Sequence, residues 1–152
     1  MAYQLRWLVP NRIITLYMYD ELKAEEFRQM TLTTLEMMEQ GTAPIHTLSI
    51  VAPDAVYPKS PQAILSMIKS VNYIHPNTGW VMQISQNPVQ RFVASMIAQG
   101  MGNVRFATAH TVADALIFLK DRDVTLSDID TAALAAVYER MKPAALSDQS
   151  AQ

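Results

Sequence analysis

The stretch that decides the fold is Tyr3-Gln4-Leu5-Arg6-Trp7-Leu8-Val9-Pro10-Asn11-Arg12-Ile13-Ile14-Thr15-Leu16-Tyr17-Met18-Tyr19. Two extended runs, Tyr3–Val9 and 12–19, meet at Pro10-Asn11, a turn signal, so they read as a hairpin. In the first run Leu5, Trp7 and Val9 alternate with Gln4, Arg6 and Leu8, leaving one strand face half polar. The second run is β-branched and aromatic and apolar on both faces, the pattern of a more central strand.

Downstream, helical and extended patterns alternate. A helix over Ala24–Gln40 carries Phe27, Met30, Thr34, Leu35 and Met38 on one face and stops at Gly41. Its start lacks a capping side chain, for which Glu25 and Glu26 compensate through the helix dipole. Strands are predicted over 46–51, 80–84 and 104–107, and helices over 62–74, 89–99 and 112–119. Ser60-Pro61 and Asn87-Pro88 each open a helix with a polar cap followed by proline. The third helix shows a stripe of Val89, Phe92, Val93, Met96, Ile97 and Gly100 at helical spacing. Thr111-Val112-Ala113-Asp114 begins the fourth like a capping box, with Leu116 and Leu119 on its inner face. Asp121-Arg122-Asp123 is then expected to return the chain to solvent. A fifth, alanine-rich helix is predicted over 127–141. Parallel strands need crossover helices, so the sheet should be mixed, mostly parallel after the hairpin, with helices packed on it. The expected class is an α/β sandwich with an extra C-terminal helix: an α/β domain at 1–123, an appended helix at 124–143 and a disordered tail at 144–152.

Composition bounds the function. Of 152 residues half are apolar and 17% charged, with a net charge of −2. Counterion-releasing clusters of Lys and Arg are missing, which argues against nucleic acid. The chain has no Cys, hence no disulfide, thiolate metal site or Cys nucleophile. No apolar run approaches the ~20 residues that span a bilayer, and the first residues lack a signal-peptide layout. A cytoplasmic protein with no membrane span is expected. Between Gln40 and Ala113 the only charged side chains are Asp54, Lys59, Lys69, Arg91 and Arg105. Such a charge-poor middle fits buried strands, or a helix face covered by a partner or a second copy.

Specific chemistries are weakly supported. His46, His75 and His110 share no ligand spacing, so no metal is expected. His46 reads as a strand residue hydrogen-bonded near the sheet edge, and His75 as a helix end. The four glycines form no strand-to-helix phosphate loop. Val51 and Ala107 close strands where a phosphoreceiver needs an acid or a lysine. No Gly-x-Ser-x-Gly elbow exists. No cofactor and no catalytic residue is assigned. The ten methionines are mostly core filler by spacing, or else line an adaptable apolar pocket. A ligand or partner site would sit at the carboxyl ends of the strands, near Asp54, Tyr57, Lys59, Asn87, His110 and Thr111.

The hairpin, the alternation and the closing run Arg105-Phe106-Ala107-Thr108-Ala109-His110-Thr111-Val112-Ala113-Asp114-Ala115-Leu116 together resemble the STAS superfamily of sulphate transporters and anti-sigma-factor antagonists, also called SpoIIAA-like. Arg6-Trp7-Leu8-Val9-Pro10 and Ala43-Pro44-Ile45-His46 are similar to segments of its bacterial single-domain members. The likeness spans roughly residues 3–122. It implies a small non-enzymatic module on which proteins or ligands dock, here read as binding a protein partner or itself; a carrier of a small apolar or lipid-like ligand is the separate alternative. In the anti-sigma-factor antagonists a Ser or Thr opening the second helix is phosphorylated, and Ser60 occupies that place. Lys59 and Pro61 replace the acidic and small neighbours of that acceptor, and Ile50-Val51-Ala52 stands where the family has an aspartate. Ser60 therefore reads as a helix cap, and also as the candidate phosphoacceptor position.

Overall fold

The computed structural model describes residues 3–56, 60–70, 74–100, 102 and 104–142. Tyr57, Lys59 and the tail at 144–152 lie outside them. β1 (Tyr3–Val9) and β2 (Ile13–Met18) form the expected antiparallel hairpin, with Asn11 at φ 66° in its turn. β2 is buried along its whole length because β3 (Ile45–Val51) pairs in parallel on its other side. α1 (Ala24–Gln40), α2 (Pro61–Ser70) and α3 (Pro88–Gly100) are the crossovers that carry the chain in turn to β3, β4 (Thr78–Ile84) and β5 (Arg105–Ala109). The five strands stand in chain order, β3 to β5 all parallel.

Strand alternation sends successive side chains to opposite faces. One face of the sheet (Ile13, Tyr17, Leu48, Ile50 and Met82) packs on α4 (Val112–Arg122) and α5 (Thr131–Met141) through Leu116, Leu119 and Tyr138. The Tyr17 and Tyr138 rings stack 5.8 Å apart, and burial raises both phenol pKa values. On the other face Leu16, Met18 and Val51 meet Phe27 and Met30 of α1, Met67 of α2 and Ile97 of α3.

Several element ends differ from the sequence reading for identifiable reasons. Thr78 and Gly79 belong to β4, although a glycine weakens a strand signal. α5 begins at Thr131 rather than Ser127, because Asp130 accepts from Ala133 N at 3.0 Å and caps it, after a 3-10 turn at Val124–Leu126. Ile74 and His75 are not helical: His75 stands in the turn before β4, its Nδ1 accepting from Asn77 N at 3.0 Å. α1 indeed lacks a side-chain cap. Gly41 ends it in extended conformation rather than the left-handed one. What requires glycine there is space, since a Cβ would come within 2.6 Å of Ile45 Cδ1 and 2.9 Å of Asn11 O.

Two further expectations are corrected at the amino end of the sheet. His46 is not near the sheet edge: it opens the central strand and is almost wholly buried. Asp123 does not return the chain to solvent but is buried against it. His46 Nε2 donates to Asp123 Oδ2 at 2.8 Å, while Nδ1 accepts from Trp80 N at 3.0 Å, which fixes the neutral tautomer. Arg12 Nη2 donates to the same Oδ2 at 3.0 Å and also meets Thr125 Oγ1. Thr125 N and Oγ1 donate to Asp123 Oδ1 at 3.0 and 2.6 Å.

Burial pulls the His46 pKa down from 6.5, outweighing the hydrogen bond and charge of Asp123, with Arg12 and Arg105 adding to the decrease. Burial would raise Asp123, but the bonds from Thr125 and His46 prevail and hold it below the usual carboxylate value. The unfolded chain protonates His46 near 6.5, above the folded chain, so it binds more protons as pH falls. Stability present above that pH should therefore decline below it, before the depressed Asp123 contributes its own loss near the carboxylate range. Urea midpoints at pH 7.5, 6.5 and 5.5 should fall in that order, and His46→Gln should flatten the trend. Gly79→Ala would place a Cβ 2.5 Å from the pinned His46 Nδ1. It should cost about 2–3 kcal/mol in a denaturant titration with unchanged slope.

Candidate functional site

The carboxyl ends of the parallel strands gather most of the residues singled out in the sequence. Ser60 Oγ accepts from Ala63 N at 3.1 Å, Asn87 Oδ1 from Val89 N at 2.9 Å, and Thr111 Oγ1 from Asp114 N at 3.1 Å. Each caps the helix it precedes. Asp54 and His110 are exposed in the loops after β3 and β5.

One residue that the sequence reading passed over ties these loops together. Gln90 projects from the first turn of α3 and is buried. Its Nε2 donates to Ala52 O at 3.0 Å and Ala55 O at 3.2 Å, and its Oε1 accepts from Ser85 Oγ at 2.6 Å. The signal was present: Gln90 stands at i, i+3 and i+7 with Val93 and Ile97 of the apolar stripe, on the inner side of the helix.

That stripe is itself split. Ile97 is buried and Val93 packs against the core, but Val89, Phe92 and Met96 are 69%, 65% and 40% exposed. They occupy positions i, i+3 and i+7, one outward face of α3. Gln90 and Ile97 face inward instead, because the loop carbonyls need a donor there. Leu65 of α2, which packs against α3, is exposed as well. Arg91 is the only charged residue in α3 and Lys69 the only one in α2.

Beneath the helices lies a cavity of about 170 Å³. Phe27, Met30 and Met38 of α1 and Ala94 and Ile97 of α3 form its apolar walls. Its floor is the sheet, where Thr47 and Ser49 of β3 and Val81 and Gln83 of β4 lie side by side through the strand register. The cavity is thus mid-sheet, away from the carboxyl ends where the sequence reading looked for a ligand. Thr47 and Ser49, polar at alternate positions of a buried strand, were the available clue. Among the described residues no group of three or more His, Cys, Asp or Glu stands ready to hold a metal, and no helix is long and apolar enough to cross a membrane.

No protein-family model and no curated protein matches the sequence. Solved structures do match the fold. An uncharacterized protein of the DUF3478 family with a SpoIIAA-like fold, from Shewanella loihica PV-4, aligns with a TM-score of 0.56 at 19% identity, over 78% of this chain and 92% of that one. The Bacillus cell fate determinant SpoIIAA in its phosphorylated form aligns with a TM-score of 0.43 at 16% identity, over 78% and 99%. The chain has the SpoIIAA-like α/β fold that its resemblance implies.

Gln90→Ala would remove the side-chain donor to Ala55 O, one of two donors to Ala52 O, and the acceptor of the Ser85 hydroxyl proton. A loss of about 2–3 kcal/mol is expected, with faster amide exchange at Ala55, whose N–H bonds Ala52 O within the released loop. Exchange unchanged at Ala55 would show that Gln90 does not hold the loop.

Proposed function

We propose that this chain is a non-enzymatic interaction module of the SpoIIAA-like kind, and that the outward face of α3 binds a second copy of the chain. The observation that carries this is the exposed stripe of Val89, Phe92 and Met96 on α3, with Leu65 exposed on the neighbouring α2. Contiguous apolar surface on a soluble domain marks a contact site, and interface cores are poor in charge. The two helices bearing the stripe hold one cation each, so a two-fold related copy can bring the stripes together without opposing like charges at their centre. The low charge of residues 40–113 then has two causes, buried strands and a covered helix face. Ser60 serves as the cap of α2 in this reading, and regulation by its phosphorylation forms no part of it.

Sedimentation equilibrium from low micromolar to several hundred micromolar protein should show a dimer that dissociates on dilution. Phe92→Glu should yield a monomer whose thermal stability is within about 0.5 kcal/mol of the parent's, since the side chain is exposed. Val124→Glu, at the most exposed apolar residue on the opposite layer, should leave the dimer intact. A parent monomer at all concentrations, or a Phe92→Glu dimer, would refute self-association through α3.

A further inference from the structure

We propose that the cavity between the sheet and helices α1 and α3 binds a small neutral amphiphile, with an apolar body and one hydroxyl head that hydrogen-bonds Thr47. This goes beyond the contact on the outer face of α3 and does not depend on it. Three observations converge.

The cavity is roomy and partly open to the surface. Close-packed cores leave few voids bigger than a water molecule, and this one is about 170 Å³. An engineered apolar cavity of about 150 Å³ takes up benzene, so a molecule of ~8–12 non-hydrogen atoms is the size that fits. The walls also suit an apolar body. Met30 and Met38 are unbranched and adaptable, and Phe27 offers an aromatic surface.

The floor is polar where a sealed core would be apolar. Thr47 is 5% exposed, yet its Oγ1 has no hydrogen-bond partner among the described residues. A buried hydroxyl without a partner is costly, and such groups mark a missing ligand or water. Thr47 lies in the central strand, beside Ser49 along the chain and Val81 across the ladder. It therefore sits at the middle of the floor rather than at its rim.

The charge of the occupant is set by what the lining lacks. No Asp, Glu, Lys or Arg is among the described residues that form the cavity. His75, which also lines the cavity, accepts from Asn77 N through Nδ1, so a carboxylate or phosphate head set against the buried Thr47 would find no Lys or Arg beside it, which is costly. A neutral hydroxyl can donate to or accept from Thr47 Oγ1 at no such cost.

The test is an amide NMR titration with three matched probes: 2-phenylethanol, ethylbenzene and phenylacetate. 2-Phenylethanol should shift the resonances of Thr47, Ser49 and Gln83, and phenylacetate should not. Thr47→Val keeps the side-chain shape and removes the hydroxyl. It should weaken 2-phenylethanol about fivefold and leave ethylbenzene unchanged, the loss of one buried hydrogen bond. Ala94→Leu fills the cavity from α3 and should abolish binding of both. Phe92→Glu should leave binding unaltered, which separates this site from self-association. No shift at the floor residues up to the solubility limit would overturn the proposal. So would phenylacetate binding as well as 2-phenylethanol, or Thr47→Val weakening both neutral probes equally. The last result would leave Thr47 bonded to water only.

Discussion

The carboxylate of Asp123 is the constraint around which the amino end of the sheet is arranged. A buried ion is tolerable only with partners for its lone pairs, and here His46, Arg12 and Thr125 supply them from three separate parts of the chain. The central strand, the turn of the hairpin and the end of α4 are thereby held at one point. His46 is in turn held from its other side by Trp80 N, and only a glycine at 79 leaves room for its ring. Breaking any one member strands a charge or a donor in the interior, so the cluster behaves as a unit.

With that end closed, the two faces of the sheet divide the labour. The face under α4 and α5 is filled by aliphatic and aromatic side chains, with the stacked Tyr17 and Tyr138 at one side. Trp80 and Phe118 meet edge to face, and the Arg122 guanidinium lies 3.5 Å from the Phe118 ring centroid. The opposite face carries Thr47, Ser49 and Gln83 at its centre, and the helices above it leave a void. The same helical layer exposes Val89, Phe92 and Met96 on its outside. Both features proposed for binding therefore belong to the α1–α3 layer.

Much of this was legible locally. The Pro10-Asn11 turn, the apolar run of β2, the caps at Ser60, Asn87 and Thr111, and the inner Leu116 and Leu119 are signals carried by neighbouring residues. Short-range chemistry decides them, and they stand where the pattern put them. The start of α5 was misread because Ser127 and Asp130 both offer a cap, and only the 3-10 turn before them selects Asp130.

The SpoIIAA-like class was implied by resemblance, while the sequence by itself determined the order of elements and the parallel sense of the sheet after the hairpin, since hydrophobic period, turn residues and crossover rules act along the chain. It did not determine which polar residues would be interior. Asp123 and His46 lie 77 positions apart, and nothing in Asp121-Arg122-Asp123 distinguishes the buried acid from the exposed one. The apolar stripe of α3 was likewise legible as a stripe, but which way it faced depended on the loop carbonyls that Gln90 had to reach. Burial is a property of what packs on the opposite side. Only the tertiary structure brings that side into place.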